Sequence, residues 1–98
     1  MTATEWTVNA IRAAVRATGS HWFDLDTMRF FGTRILPTVY QGPGGIYFVT
    51  SEQPPHAKRA YTVRRFDPDT ANIRSVSEVA SLSDHDAKTL ARNLANQK

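Results

Sequence analysis

The sequence predicts an α+β domain: an N-terminal helix, about four strands forming a mainly antiparallel sheet, and a C-terminal helix. Three observations predict it. At both ends of the chain, apolar residues recur at spacings of three and four behind capping signals. The middle breaks into short runs rich in aromatic and β-branched residues. Clusters of Gly, Pro and Asp separate those runs, as turns require. At 98 residues, the chain is expected to be one domain over 1–98. A domain of that size buries roughly two-thirds of its unfolded surface.

The first helix is predicted over Thr4–Thr18. Thr2 and Glu5 have the spacing of a capping box, in which each side chain satisfies the other's free backbone N–H. Val8, Ile11, Val15 and Thr18 form an apolar stripe, and Glu5, Asn9, Arg12 and Arg16 fall on another face. Gly19 is placed to end the helix, because a left-handed cap costs glycine least.

A first strand is expected over Thr27–Ile35, and a second in "GIYFVTSE" after the turn "QGPGG". "EQPPHAKR" must be a loop, since Pro54 and Pro55 have no N–H to donate to a sheet. "AYTVRRF" and "NIRSVSE" then read as an antiparallel hairpin joined by "DPDTA". The last helix is expected over Asp84–Asn96. Ser83 is a good N-cap, Asp84 and Asp86 suit the positive helix start, and Leu82 can pack on Ala87. The layout expected from this order places both helices on one face of the sheet and leaves the other face open.

Composition narrows the function classes. Hydrophobic residues make up 41% and charged residues 21%, a globular balance. With no cysteine, disulfides and thiol chemistry are excluded. No apolar run approaches the roughly 20 residues of a membrane span, and "MTATEWTVNA" lacks a signal peptide's basic start and apolar stretch. A soluble cytoplasmic protein without membrane partners is expected.

Catalytic signals are weak. His21, Asp24 and Asp26 offer three metal-ligand types in six residues, but a helix-to-strand junction uses aspartates for backbone hydrogen bonds. Ser51 and Ser83 have no evident histidine partner, and "QGPGG" lacks the Lys-Ser/Thr ending of a phosphate loop. The sequence therefore predicts no enzyme, no cofactor and no metal site.

Binding has more support. The net charge is +3, and between Met28 and Phe66 six basic residues face the single acid Glu52. Strand alternation interleaves these cations with aromatics, and Arg64 and Arg65 diverge to opposite faces. The candidate partner-binding residues are Arg29, Phe31, Arg34, Lys58, Arg59, Tyr61, Arg64 and Arg65. Three readings fit them. Aromatics can stack on bases while arginines contact phosphates. The same residue types concentrate at protein interfaces, self-association as a homodimer included. Or the arginines pair with Asp24, Asp26 and Glu78 and only pack.

"FDLDTMRFFGTRI", "IYFVTSEQ" and "RAYTVRRFDPDTANI" resemble the recurring segments of short uncharacterised proteins of bacterial phages and mobile elements. The resemblance covers about Ser20 to Ser77, with "TMRFFGTR" its most specific part. It implies an accessory factor that meets host machinery, with inhibitors of host defence such as anti-CRISPR proteins among such factors. A basic chain argues against mimicry of DNA by an acidic surface. The expected function is thus a small non-enzymatic binding module that engages a host protein or nucleoprotein. The alternative is direct DNA or RNA binding through a basic-aromatic sheet.

Overall fold

The structure, a computed structural model, describes residues 6–18 and 32–97. Helix α1 spans Val8–Thr18 and strands β1 to β4 span Arg34–Gly42, Gly45–Glu52, Ala60–Asp67 and Asn72–Ser75. Helix α2 spans Asp84–Asn96. The strands form one antiparallel sheet in the order β1-β2-β3-β4, so every neighbour in space is a neighbour in sequence. Among the described residues the α+β order of helix, four antiparallel strands and helix is the expected one.

The helix ends follow from local chemistry. The Thr2–Glu5 box lies outside the described residues, as does Gly19. In the described chain Thr7 does the capping: its Oγ1 accepts from the Ala10 N–H at 3.1 Å, and Ile11 N–H donates to the Thr7 carbonyl. At α2, Ser83 Oγ accepts from the Asp86 N–H at 3.2 Å, and Asp84 and Asp86 occupy the first turn. Leu82 packs into the same cluster as Ala87, as the staple requires.

The sheet departs from expectation in two ways. Of the first strand, expected over Thr27–Ile35, residues 27–31 lie outside the described residues, and within them β1 begins only at Arg34 and runs to Gly42. Pro37 sits inside it, and the β1–β2 register shifts between Ile35 and Val39. Proline is tolerated there because β1 is an edge strand among the described residues and the ladder slips around it. The second departure is the placement of the helices, which cover opposite faces. Ile11 and Val15 of α1 pack with Phe48, Phe66, Ile35, Val39 and Ile73. Ala87, Ala91 and Ala95 of α2 pack with Tyr47, Val49 and Val63. These are the two alternating sets of β2 and β3, so neither face is left open along its length. The cause is that β2 and β3 carry large apolar groups on both sides, and each set must leave water.

The residues at the α2 interface explain its closeness. Three alanines, all buried, let the helix approach Val49 and Val63. On the other face, Trp6 lies 4.8 Å from Phe66, ring centroid to centroid, at a tilt of 58°. Helix α2 begins where Leu82 bridges to Tyr61 of β3 and ends where the Ala95 carbonyl accepts from Gly44 N–H in the β1–β2 turn. It therefore starts beside the Tyr61 end of β3 and ends against the β1–β2 turn. Among the described residues no helix is long and apolar enough to cross a membrane.

Candidate functional site

The six-to-one charge balance in the middle of the chain resolves into an internal set and a surface set. Register decides which arginine belongs to which. Phe48, Thr50 and Glu52 of β2 stand opposite Arg64, Thr62 and Ala60 of β3, all on the α1 side. The neighbouring set, Tyr47, Val49 and Ser51 opposite Arg65, Val63 and Tyr61, faces α2.

On the α1 side, Glu52 and Arg64 form a buried ion pair at 3.0 Å. Glu52 is fully buried and Arg64 is 4% exposed. Each nitrogen of the guanidinium and each oxygen of the carboxylate has a hydrogen-bond partner. Thr50 Oγ1 donates to Glu52 Oε1 at 2.6 Å and accepts from Arg64 Nε at 3.1 Å. Thr62 Oγ1 donates to Glu52 Oε2 at 2.9 Å and accepts from the Ala80 N–H at 2.7 Å. Arg64 Nη1 donates to Ser75 Oγ of β4. Burial weakens the proton's hold on Arg64, and the hydrogen bond and charge of Glu52 oppose that shift. A buried pair so fully hydrogen-bonded organises three strands from within. Arg64 was expected on a binding surface; it is instead part of the interior. The expectation failed because Glu52 was weighed as one acid against six cations, when register gives it to Arg64 alone among the cations of β3.

The other expected residues separate. Arg29 and Phe31 lie outside the described residues, together with His21, Asp24 and Asp26. Among the described residues no group of three or more His, Asp or Glu could hold a metal. Tyr61 is partly buried against α2, in the same cluster as Leu82 and Leu90. Arg34 and Arg59 gather at one end of the α2 face. Arg34 pairs in register with Ser51, and Arg59 Nη1 donates to Ser51 Oγ at 2.7 Å. Lys58 is exposed in the loop beside them. This is also the end where α2 starts, with Asp84 and Asp86 in its first turn.

Arg65 lies four residues further along the ladder, about 13 Å away at the usual strand rise. There the last turn of α2 rests on the β1–β2 turn, Arg65 is half-buried and Arg74 is exposed. Arg65 stands directly opposite Arg74 of β4, so both side chains leave the same face. The Arg65 guanidinium sits 5.8 Å from the centre of the Tyr47 ring. Gly45 makes room for it: a Cβ there would meet Arg65 Nε at 3.3 Å, and its φ of 127° suits glycine. Neither Arg65 nor Arg74 has an acid within ion-pairing distance among the described residues. The acid nearest in sequence, Asp67, accepts the Asp69 N–H at 2.9 Å in the turn.

Arg74 was not among the expected site residues. The signal was present: the turn after Asp67 pairs Asp67 with Asn72, and two steps back along each strand give Arg65 opposite Arg74. The groove between β1 and α2, lined by Leu36, Pro37, Thr38, Tyr40, Val49 and Lys88, holds about 100 Å3. That is below the roughly 300–1,000 Å3 of small-molecule sites.

No curated protein and no solved structure matches the chain. The family described as "Family of unknown function (DUF7447)" matches residues 7–93, from before α1 to near the end of α2. With a match that takes in α1, the whole sheet and most of α2, the chain belongs to the DUF7447 family.

Proposed function

We propose that the chain is a small non-enzymatic binding module that engages a protein or nucleoprotein of a bacterial host through the basic surface beside α2. The observation that carries this reading is the cross-strand pair Arg65 and Arg74, two cations held side by side with no acid between them among the described residues. Like charges directly opposite each other weaken a sheet, so the arrangement costs stability and must be explained by something other than folding. An acidic partner explains it. The phage and mobile-element resemblance of Ser20 to Ser77 supports the bacterial setting, and inhibition of host defence in the manner of an anti-CRISPR protein is the role to test there.

Direct single-strand nucleic-acid binding is less well supported. It needs aromatic rings free to stack on bases. Tyr47 is 5% exposed and lies beneath Arg65, and Tyr61 is packed against α2. Among the described residues, Tyr47 and Tyr61, which made the sheet resemble a stacking platform, are used inside the fold.

Affinity capture from a host lysate, with and without nuclease, tests the reading. A stoichiometric complex that survives nuclease is expected, with less than about tenfold loss of affinity between 50 and 200 mM salt. A binder of 6–10 phosphates would lose about a thousandfold or more over that range. Capture abolished by nuclease, with the steeper salt slope, would replace this reading with nucleic-acid binding.

A further inference from the structure

We infer that the Arg65–Arg74 pair is the recognition centre of this surface, and that it takes the carboxylates of an acidic protein segment. The inference rests on the binding reading above and names the chemistry of its partner.

Two features make Arg65 a prepared donor rather than a loose surface charge. Its guanidinium lies in the space left by Gly45, with a Cβ position only 3.3 Å from Nε and 3.4 Å from Nη2. Its guanidinium rests over the Tyr47 ring, whose hydroxyl donates to the Gly44 carbonyl at 3.2 Å and so holds the ring in place. A planar guanidinium fixed in this way loses little freedom when it binds, and its N–H groups match the two oxygens of a carboxylate. Arg74 supplies the second cation from β4, with Cβ atoms in register about 5 Å apart. One carboxylate between the two guanidiniums, or two from neighbouring acidic residues, removes the repulsion between the paired cations.

The rest of the face favours an acidic protein over a phosphate backbone. A nucleic-acid strand needs a continuous cationic track. Here the second basic group, Arg34 and Arg59, is separated from Arg65 by the part of the face that α2 covers, and Arg59 is already bonded to Ser51. The acids Asp84 and Asp86 also stand at that far end. The Arg65–Arg74 end is thus a compact two-cation centre.

The test uses the whole chain and two probes, a labelled ten-residue poly-glutamate peptide and a labelled ten-nucleotide oligothymidine, read by fluorescence anisotropy at low salt. Arg65→Ala and Arg74→Ala are compared with Arg34→Ala and Lys58→Ala, which remove the same single charge. The expected result is about tenfold weaker peptide binding for each of the first two and less than twofold for the controls, with Arg74→Ala melting no lower than the parent, since it relieves the repulsion. Equal losses in all four variants would reduce the effect to net charge and overturn the inference. Tighter oligothymidine binding with the same dependence on Arg65 and Arg74 would overturn it in favour of phosphate. Host capture separates the two claims. If the double variant Arg65→Ala/Arg74→Ala still captures the host partner, the centre is elsewhere while the binding reading stands. If the unaltered chain captures no partner, the binding reading fails whatever the peptide shows.

Discussion

Glu52→Ala is expected to destabilise the protein by about 3–5 kcal/mol, because it leaves the Arg64 guanidinium buried without its carboxylate. For a domain of this size each kcal/mol moves the midpoint by about 4–8 °C, so the melting temperature should fall by roughly 15 °C or more. The loss exceeds that of an exposed ion pair, about 0–1 kcal/mol, because Glu52 also accepts from Thr50 and Thr62. Those hydroxyls would lose their acceptor together with the guanidinium. The double variant Glu52→Met/Arg64→Met should recover much of the loss, since removing both charges removes the unpaired one. A melting temperature for Glu52→Ala within a few degrees of the parent would show that Arg64 finds water, and would contradict the network as drawn.

Gly44→Ala should cost about 1–3 kcal/mol through overpacking. A Cβ at this position would lie 2.0 Å from the Leu94 carbonyl oxygen and 2.9 Å from that of Gln97. Both are backbone atoms, so no rotamer change relieves the clash. The turn must move away from α2, and the 2.9 Å hydrogen bond from the Gly44 N–H to the Ala95 carbonyl breaks first. Amide exchange should therefore speed up at Gly44 and in the last turn of α2, while the β2–β3 amides keep their protection. Unchanged exchange at both places would mean that the helix end does not rest on the turn.

Much of this architecture was legible in the chain. Ser83, with Asp84 and Asp86 behind it, marked the start of α2, and the apolar stripe carried it to Asn96. The "DPDTA" turn marked the β3–β4 hairpin, and the structure supplies its register. The first strand was harder because Pro37 broke the pattern that β1 keeps by bulging at an edge. The side of the sheet that each helix covers was not legible. Period-two alternation shows that β2 and β3 are apolar on both faces, but not which helix meets which face. Arg64 was misplaced for a related reason. Thr50, Glu52, Thr62 and Arg64 share the parity of the core residues Phe48 and Phe66, which already put them on an inward face. Net charge counted along the chain hid this, because Glu52 and Arg64 are partners across a ladder and not along a strand. Of the surface set, Arg34, Lys58 and Arg65 could be named from the sequence, whereas Arg74 needed the hairpin register.

The central claim is that two adjacent arginines of β3 have opposite employment: Arg64 holds the fold and Arg65 holds a partner. The measurement that tests it most directly is a paired comparison of Arg64→Ala and Arg65→Ala, each read for melting temperature and for capture of the host partner. The account predicts that Arg64→Ala loses about 3–5 kcal/mol of stability, because Glu52 is left buried and unpaired. It predicts that Arg65→Ala stays within about 1 kcal/mol of the parent, the worth of a partly exposed cation–π contact, and loses capture. Arg65→Ala unfolding as early as Arg64→Ala, or keeping full capture, would contradict it.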